Sequence, residues 1–274
     1  GDQLDHAIRA IRARRRETRA MNATRAGIES ARCSPVLELR QYTLHPGARE
    51  TLIRLFEREF VESQEAVGAR VIGTFRDLDD PDRFVWLRGF ADMPSRAQAL
   101  SAFYGGPVWK AHRDAANATM VDSDDVLLLR PAWPDAGFAL QDARRAPLGA
   151  EAVGSELVAA QLCSFPAPVT PAFLEWFAHV VEPALHATGA PPVAAFVTEY
   201  AANTFPALPV REGEHVFAWF ARFADHAAYA RHVAALARSP AWRTTVMPEL
   251  ARRLVKPVET LRLAPTARSL LRGR

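Results

Sequence analysis

The stretch RLFEREFVESQEAVGARVIGTF, residues 54–75, has a second version later in the chain, EWFAHVVEPALHATGAPPVAAF at residues 175–196. Three residue pairs match at a constant offset: Phe56 and Phe177, Gly68 and Gly189, and Phe75 and Phe196. Two further matches follow in the same order: FVWLRGFAD (84–92) with FAWFARFAD (217–225), and PVWK (107–110) with PAWR (240–243). Ordered self-similarity over about a hundred residues predicts two structural repeats. Trp86 should then be equivalent to Trp219, and Trp109 to Trp242.

Each repeat has the hydrophobic periodicity of a βαββαβ unit. Leu52, Leu55 and Phe56 lie on one apolar stripe of a predicted helix, and Gly68 is expected to end that helix. Asp92 is expected to cap a second helix, with Pro94 in its first turn. In the first repeat we predict strands at 36–44, 70–78, 83–90 and 126–130, a long helix at 48–67, and a short helix from Trp109 to Met120. In the second repeat we predict strands near 157–165, 193–200, 215–223 and 259–264.

This element order is that of a ferredoxin-like split βαβ fold, in the α+β class. A four-stranded sheet with helices on one face leaves its other face bare, and that face must be buried. Two fused copies can bury their bare faces against each other, which predicts one intramolecular α/β barrel. The expected divisions are an Arg-rich extension (1–34), a first repeat (35–133), a linker (134–154), a second repeat (155–265) and a C-terminal tail (266–274).

The composition indicates a globular protein of a reducing compartment. No run of about 18 apolar residues exists, so no membrane span is expected, and no secretory signal is recognised. The two cysteines, Cys33 and Cys163, have no metal-type or disulfide spacing, which favours a cytoplasmic location. Basic charge comes almost wholly from arginine, as in a GC-rich bacterial genome, and no aromatic-interleaved basic stripe for nucleic acid is evident. Motifs for metals, nucleotides or other cofactors are absent, so none is expected.

The first 34 residues differ from the rest of the chain, because they are rich in arginine and poor in large apolar side chains. Three interpretations remain open. The segment is a disordered or upstream extension with Met21 as an internal start, an arm that packs on a partner subunit, or a transit peptide.

Several stretches of the first repeat resemble the NIPSNAP family. They are VLELRQYTLHPG (36–47), LIRLFEREF (52–60), FRDLDDPDRFVWLRGF (75–90) and AFYGGPVWKAHRDAANATM (102–120). The resemblance spans about a hundred residues there and is only an outline in the second repeat. It implies a fold of the dimeric α/β-barrel superfamily, whose other branches include cofactor-free monooxygenases, haem enzymes and small-molecule binders. A fold shared by such different proteins does not imply one activity.

Strand parity places a polar set on one face of the first repeat. We expect this face to line the barrel interior, because the opposite face is purely apolar. The residues expected to bind substrate are Arg40, Arg76, Trp86, Arg88 and Arg130, and the candidate catalytic residues are Tyr42, Glu38 and His112.

Four arginines with one glutamate leave unbalanced positive charge, which an anionic or carbonyl-rich ligand would compensate. Tyr42 beside these cations is expected to have a lowered pKa and to act as an acid or base. Alternatively, the arginines pair with Glu59, Asp77 or other helix-side acids, or extend to the barrel rim.

The equivalent face of the second repeat is mostly apolar. Only Trp219 is the same residue as its counterpart, Trp86. The other positions differ: in place of Glu38, Arg40, Tyr42, Thr74, Arg76 and Arg88, the second repeat has Ala159, Gln161, Cys163, Ala195, Val197 and Ala221. We therefore predict a small-molecule pocket in the first repeat only, with an inert buried thiol at Cys163. The alternative is that the second repeat merely fills the barrel.

Two function classes follow. The first is a protein that binds a small molecule in the first repeat, either as a binder or as a cofactor-independent enzyme. The second is an interaction or scaffold protein with a structural barrel, which a filled barrel without a cavity would favour. Fusion supplies the partner sheet, so the chain should be stable as a monomer, while homodimers of the fused unit remain open. Replacing Arg40 or Arg88 should weaken ligand binding at little cost in stability.

Overall fold

The computed structural model of this protein describes residues 34–273, so the prediction for the Arg-rich extension lies almost wholly outside the described part. The first repeat contains strands β1 (Val36–Leu44), β2 (Arg70–Asp77), β3 (Arg83–Phe90) and β4 (Met120–Pro131). Its long helix α1 comprises Arg49–Leu55, a π-helical turn at Phe56–Phe60, and Val61–Glu65. Helices α2 (Met93–Tyr104) and α3 (Pro107–Asn117) complete the repeat.

The second repeat contains strands β5 (Leu157–Phe165), β6 (Ala194–Thr198), β7 (His215–Phe223) and β8 (Glu259–Pro265). Its long helix α4 comprises Pro171–Trp176, a π-helical turn at Phe177–Val181, and Glu182–Ala187. Helix α5 (His226–Arg238) follows, and α6 comprises a π-helical turn at Trp242–Val246 and the segment Met247–Arg253.

The eight strands form one closed antiparallel barrel, which confirms the predicted fold. The strand order is β1-β3-β2-β8-β5-β7-β6-β4. Each repeat supplies four neighbouring strands in the ferredoxin-like order, and the two halves join through the β2–β8 and β4–β6 ladders. The closed barrel leaves no unpaired strand edge among these elements, which removes the usual site of edge-to-edge association.

The aligned residues occupy equivalent places in the two repeats. Trp86 lies opposite Arg40 of β1, and Trp219 lies opposite Gln161, the counterpart of Arg40 on β5. Trp109 lies in the first turn of α3, and Trp242 begins α6. The repeats differ most in the β6–β7 connection, residues 199–214, which is much longer than the β2–β3 turn at residues 78–82.

The predicted helix ends are also found in both repeats. The carboxylates of Asp92 and Asp225 accept hydrogen bonds from the backbone N–H groups of Ser95 and Ala228, both at 2.7 Å. Gly68 (φ +99°) and Gly189 (φ +81°) follow the long helices in the left-handed conformation that favours glycine.

The barrel interior is apolar, which corrects the expectation that the polar set points inward. Side chains from both repeats form its core, including Leu37, Leu39, Phe75, Val85, Leu87, Val158, Phe196 and Phe220. Phe138 and Leu140 from the linker and Leu271 from the C-terminal tail pack into the same core. The polar face instead lies under the helices. Except at the start of β2, parity correctly sorted the side chains into two faces, but parity alone cannot tell which face of a closed barrel is the inner one.

A β-bulge in β2 changes the parity near its start. The register with β3 shifts between Val71 and Gly73, so Val71 packs with the helix-side cluster while Ile72 packs in the barrel core. Strict alternation without this bulge would place Val71 on the side of Phe75.

Between residues 34 and 273, no helix is both long enough and apolar enough to cross a membrane.

Candidate functional site

A buried carboxylate, Glu38 on β1, is the centre of the polar face of the first repeat. Its side chain is fully buried, with 0% exposure. Oε2 accepts hydrogen bonds from Arg40 Nη1 at 2.7 Å and from Arg88 Nε at 2.6 Å. Oε1 accepts from Arg96 Nε at 2.6 Å. Three guanidinium groups thus share one carboxylate, an arrangement that leaves two positive charges in excess.

The three arginines are as buried as the glutamate. Their exposures are 1% for Arg40, 0% for Arg88 and 0% for Arg96. Two of them also lie against the Trp86 ring, whose centroid is 5.6 Å from Arg40 Cζ and 5.0 Å from Arg88 Cζ. These cation–π contacts stabilise the positive groups in a region from which water is excluded.

The excess positive charge determines the protonation state of Glu38. Burial alone would raise the pKa of this carboxyl, but the charges of Arg88, Arg40 and Arg96 outweigh burial and hold the pKa far below its usual range. Glu38 is therefore ionised at any physiological pH and is not a candidate general acid. Its chemical role is to neutralise part of the arginine charge.

Some donors of the cluster are not used. Arg88 Nη2, Arg96 Nη2 and Trp86 Nε1 are buried and have no hydrogen-bond partner within residues 34–273. An unpaired buried donor costs about 1–3 kcal/mol. Unpaired buried donors are rare in folded proteins, and a bound ion or an ordered water is one explanation for them.

A cavity of about 90 Å³ lies between the sheet and the helices, next to this cluster. Its walls are mainly aromatic, formed by Phe56 and Phe60 of α1, Phe103 of α2 and Trp109 of α3. Its polar lining consists of Tyr42, Gln64, Trp86, Tyr104, Asn117 and Ser123. The arginines themselves do not line the cavity but lie behind its aromatic and phenolic wall.

Two phenols connect the arginines to the cavity. Tyr42 Oη accepts a hydrogen bond from Arg40 Nε at 3.1 Å, and Tyr104 Oη accepts one from Arg88 Nη1 at 3.4 Å. Each hydroxyl therefore keeps its own proton for donation to a group in the cavity. Burial raises the pKa of Tyr42, and Arg40 only partly opposes this effect, so the expectation of a lowered pKa is wrong. Tyr42 is a neutral donor rather than a base.

The π-helical turn of α1 is coupled to the cluster through Gln64. Its Nε2 donates to the backbone carbonyl of Phe60 at 3.0 Å, and its Oε1 accepts from Arg88 Nη1 at 2.9 Å. Wide turns of this kind often occur at functional sites. Here the turn lies where Phe56 contacts Trp86 (centroids 4.7 Å apart) and Phe60 contacts Trp109 (5.5 Å).

A sequence-family comparison covers this same region. The NIPSNAP family model matches residues 37–133, which include β1, α1 and the whole cavity wall contributed by the first repeat. We call this matched segment, residues 37–133, the NIPSNAP domain. The family resemblance expected from the sequence is thereby confirmed for the first repeat, and no curated protein gives a significant match to the chain.

Solved structures show the fold of the whole chain. A candidate monooxygenase from Fusobacterium nucleatum subsp. nucleatum is 10% identical and has a TM-score of 0.51, with 89% of this chain and 97% of that one covered. An anthrone oxidase-like protein is 13% identical with a TM-score of 0.52, and 88% and 97% are covered. A NIPSNAP family protein from Agrobacterium tumefaciens strain C58 is 20% identical, with 36% and 89% covered and a TM-score of 0.34.

The long β6–β7 connection of the second repeat reaches over the cavity of the NIPSNAP domain. Arg96 Nη1 donates to Asn203 Oδ1 at 2.9 Å and to Thr204 Oγ1 at 3.2 Å. Phe205 stacks on Tyr104 with centroids 5.8 Å apart, and Leu208 lines the cavity. The site is thus completed by a segment outside the family match.

The predicted site residues of the NIPSNAP domain do not all meet. Glu38, Arg40, Tyr42, Trp86 and Arg88 lie together, whereas Arg76 forms a two-bond ion pair with Glu50, with both distances 2.7 Å. Arg130 is exposed. His112 lies on α3 with Nε2 3.4 Å from Glu59 Oε2 and does not line the cavity. Arg76 therefore follows the alternative interpretation, in which helix-side acids pair with the arginines.

Sequence inspection missed Arg96, Gln64 and Tyr104. Arg96 is on the stripe of α2 that also carries Ala99, Leu100 and Phe103, all of them buried. An arginine at the i, i+3, i+4, i+7 positions of an apolar helix face is a detectable sign of a buried ion pair. Gln64 similarly follows Phe60 by one turn of α1 and is 2% exposed.

The prediction of a pocket in the first repeat only is wrong in one respect. A second cavity, of about 330 Å³, lies at the equivalent place in the second repeat, between its sheet and helices. The second repeat lacks the counterparts of Glu38, Arg40 and Arg88, and the space between its sheet and helices is not filled by apolar side chains.

Proposed function

We propose that the NIPSNAP domain binds a small compound through an anionic or carbonyl oxygen, which the hydroxyls of Tyr42 and Tyr104 hold. The observation that carries this proposal is the pairing of each phenol oxygen with a buried arginine, at 3.1 Å and 3.4 Å. Because the oxygens already accept from guanidinium groups, their protons are free to point toward a ligand.

The charge of the cluster supports an anionic ligand. The two excess positive charges lie behind the phenols in a region of low effective dielectric, where they act on a charge in the cavity more strongly than in water. The arginine nitrogens are largely occupied by Glu38, Gln64 and Asn203. Arginine therefore acts through its field and through polarised phenols, rather than through a direct bidentate contact with the ligand.

The cavity size limits the ligand. At about 90 Å³ it is smaller than the cavity of about 150 Å³ that encloses benzene in another protein. The enclosed part would hold a carboxylate or carbonyl group and the near edge of a ring or short chain. The rest of the ligand would extend past Asn117 and Ser123, which are exposed and half-buried, toward solvent.

Calorimetric titration with benzoate, acetate and toluene tests the proposal. Benzoate should bind, and acetate should bind more weakly. Toluene has no oxygen to accept a hydrogen bond and should not displace benzoate. Tyr42→Phe and Tyr104→Phe should each weaken benzoate binding by about tenfold or more, because a hydrogen bond to a charged group contributes about 1.5–3 kcal/mol. Tyr229→Phe, a phenol of the second repeat, is the matched control and should leave binding unchanged.

Equal benzoate affinity in the wild type and in both phenol variants would contradict this role for the phenols. If no carboxylate or carbonyl compound bound at all, the cavity would be structural and the interaction or scaffold hypothesis would gain. The barrel interior itself is filled, so it offers no competing site among the described residues.

A second candidate function is oxidation by molecular oxygen at the same site. Two structures that share the fold are described as a candidate monooxygenase and an anthrone oxidase-like protein. Donors that stabilise an oxygen anion would also favour the enolate of a bound ketone, its electron-rich form. Oxygen uptake on addition of 1,3-cyclohexanedione, abolished by Tyr42→Phe, would support turnover. Binding without oxygen uptake would count against it.

A further inference from the structure

The second repeat has a larger cavity than the NIPSNAP domain because its counterparts of the charged cluster are small. Ala159 and Ala221 line this cavity at the positions equivalent to Glu38 and Arg88, and Leu185 replaces Gln64. Each exchange removes volume or polarity from the space between sheet and helices. The result is about 330 Å³ of space, compared with about 90 Å³ in the first repeat.

The walls of the second cavity are apolar and aromatic. Trp219 and Phe223 of β7 and Trp242 of α6 provide ring surfaces, and Leu236, Leu250 and Val258 provide aliphatic ones. The lining contains no aspartate, glutamate, lysine or arginine among the residues that the structure describes. A charged ligand would therefore lose its hydration without gaining an opposite charge.

A few polar groups lie in this lining. Gln161 Oε1 accepts a hydrogen bond from Thr260 Oγ1 at 2.6 Å, so the amide NH₂ of Gln161 remains a donor. His232 bonds through Nδ1 to Thr188 Oγ1 at 2.9 Å. Burial lowers the pKa of His232, which keeps the ring neutral at pH 7. The cavity thus combines apolar walls with neutral hydrogen-bonding groups, the usual lining of a small-molecule site.

The approach to the cavity is also apolar. Val233 and Met247, both of which line it, are 45% and 46% exposed. Large apolar side chains exposed together at a cavity mouth are typical of an entry path for an apolar ligand. They lie on α5 and on the second segment of α6, two of the helices that cover this cavity.

We propose that the second repeat contains its own binding site for a neutral, mainly apolar ring compound with one hydrogen-bonding substituent. The rings pack between Trp219, Trp242 and the aliphatic walls, and the substituent bonds to Gln161 or Thr260. The volume is at the lower end of the roughly 300–1,000 Å³ found for small-molecule sites, which suits a bicyclic aromatic compound. The two repeats then differ in ligand class, with an oxygen anion or carbonyl group in one and an uncharged ring system in the other.

The test is calorimetric titration with 2-naphthol, which is neutral at pH 7, beside 2-naphthoate and 1-decanol. The wild type should bind 2-naphthol, and Ala221→Leu, which fills the cavity, should weaken this binding at least about tenfold. Ala227→Leu adds the same side chain at an exposed position of α5 and should bind 2-naphthol normally. Tyr42→Phe should also bind 2-naphthol normally, so this result does not depend on the function proposed for the first repeat.

Circular dichroism checks that Ala221→Leu is folded, and Ala159→Val fills the same cavity by a smaller amount if it is not. The proposal would be overturned if the wild type did not bind 2-naphthol. It would also be overturned if Ala221→Leu and Ala227→Leu bound 2-naphthol equally well. Equal or tighter binding of 2-naphthoate would show that the site does not select a neutral ligand. Tighter binding of 1-decanol would assign the cavity to a linear chain instead of a ring.

Discussion

Glu38 is the residue on which the charged cluster depends, because it is the carboxylate that all three buried arginines share. Several kcal/mol are needed to bury an ion, and good geometry and an opposite charge must offset this cost. The sequence indicated that Glu38, Arg40, Tyr42, Trp86 and Arg88 belong to one face, and the structure brings these five together. Arg96 could not be placed by strand parity, because it comes from a helix.

We expect Glu38→Gln to destabilise the folded chain by about 3–5 kcal/mol, since it leaves three buried cations without a carboxylate. Urea unfolding followed by circular dichroism measures this loss. Glu50→Gln is the matched control, because Glu50 pairs with Arg76 at the surface, and it should cost only about 0–1 kcal/mol. Similar losses for the two variants would mean that the buried network does not stabilise the fold.

The lowered pKa of Glu38 also predicts a pH dependence. A carboxyl whose pKa is lower in the folded chain stabilises it fully above the unfolded value, about 4.5, and loses this effect as the pH falls below that value. As the pH falls from 5 to 3, the free energy of unfolding of the wild type should therefore decrease more steeply than that of Glu38→Gln. Parallel pH profiles for the two proteins would contradict the assignment.

Weaker ligand binding on removal of Arg40 or Arg88 stays a prediction. The expectation that this removal costs little stability does not fit Arg88, because Arg88 bonds to Glu38 and Gln64 and packs on Trp86. The phenol variants are therefore the cleaner test of binding.

At the scale of elements, the β6–β7 connection is what distinguishes this chain from two equal repeats. Residues 199–214 pair with β4 through the bonds Glu199 N–Leu128 O and Arg211 N–Val126 O, at 2.9 Å and 2.8 Å. Between these anchors, Asn203 and Phe205 contact Arg96 and Tyr104. The second repeat thus covers the site of the first, an arrangement that repeat matching cannot reveal because the segment has no counterpart.

We expect Phe205→Ala to increase the dissociation rate of benzoate several-fold, because it removes the ring that stacks on Tyr104 while leaving the phenols in place. Stopped-flow displacement measures this rate. Tyr200→Ala is the matched control on the same connection, since Tyr200 is 49% exposed and bonds to His215 rather than to the site. An unchanged dissociation rate in Phe205→Ala would mean that the connection does not limit ligand exit.

The π-helical turns were not predicted, although the helices that contain them were. The apolar stripe of α1 continues through Phe56 and Phe60, so the sequence reads as an ordinary helix. A wide turn depends on contacts outside the helix, such as those of Phe56 with Trp86 and of Gln64 with Arg88. Side chains on β3 therefore contribute to the local geometry of α1.

At the scale of the whole molecule, the two repeats form one barrel within one chain. The β2–β8 and β4–β6 ladders join them, and apolar side chains of both halves fill the interior. The C-terminal segment strengthens this closure, because Thr266 Oγ1 and the backbone N–H of Arg268 donate to Glu57 of α1 at 2.5 Å and 2.9 Å. Arg268 also pairs with Glu62.

We expect the full chain to remain folded as a monomer at low concentration, because the partner sheet is supplied internally. Sedimentation velocity and circular dichroism over a dilution series measure this. A chain containing only residues 35–133 is the comparison, and it should self-associate or unfold, because its sheet face and two strand edges would be bare. Loss of structure in the full chain whenever it dissociates would contradict intramolecular closure.

The sequence by itself determined the repeats, their element order, the helix cap at Asp92 and its match at Asp225, and the two faces of the strands except at the bulge of β2. These features depend on local periodicity and on residues close together in the chain. Only the tertiary structure decided that the polar face lies under the helices, that Arg96 and the segment 199–214 join the site, and that the second repeat keeps a cavity. The physical reason is that closure, packing volume and the sharing of Glu38 by three arginines depend on distances between elements, which no local pattern contains.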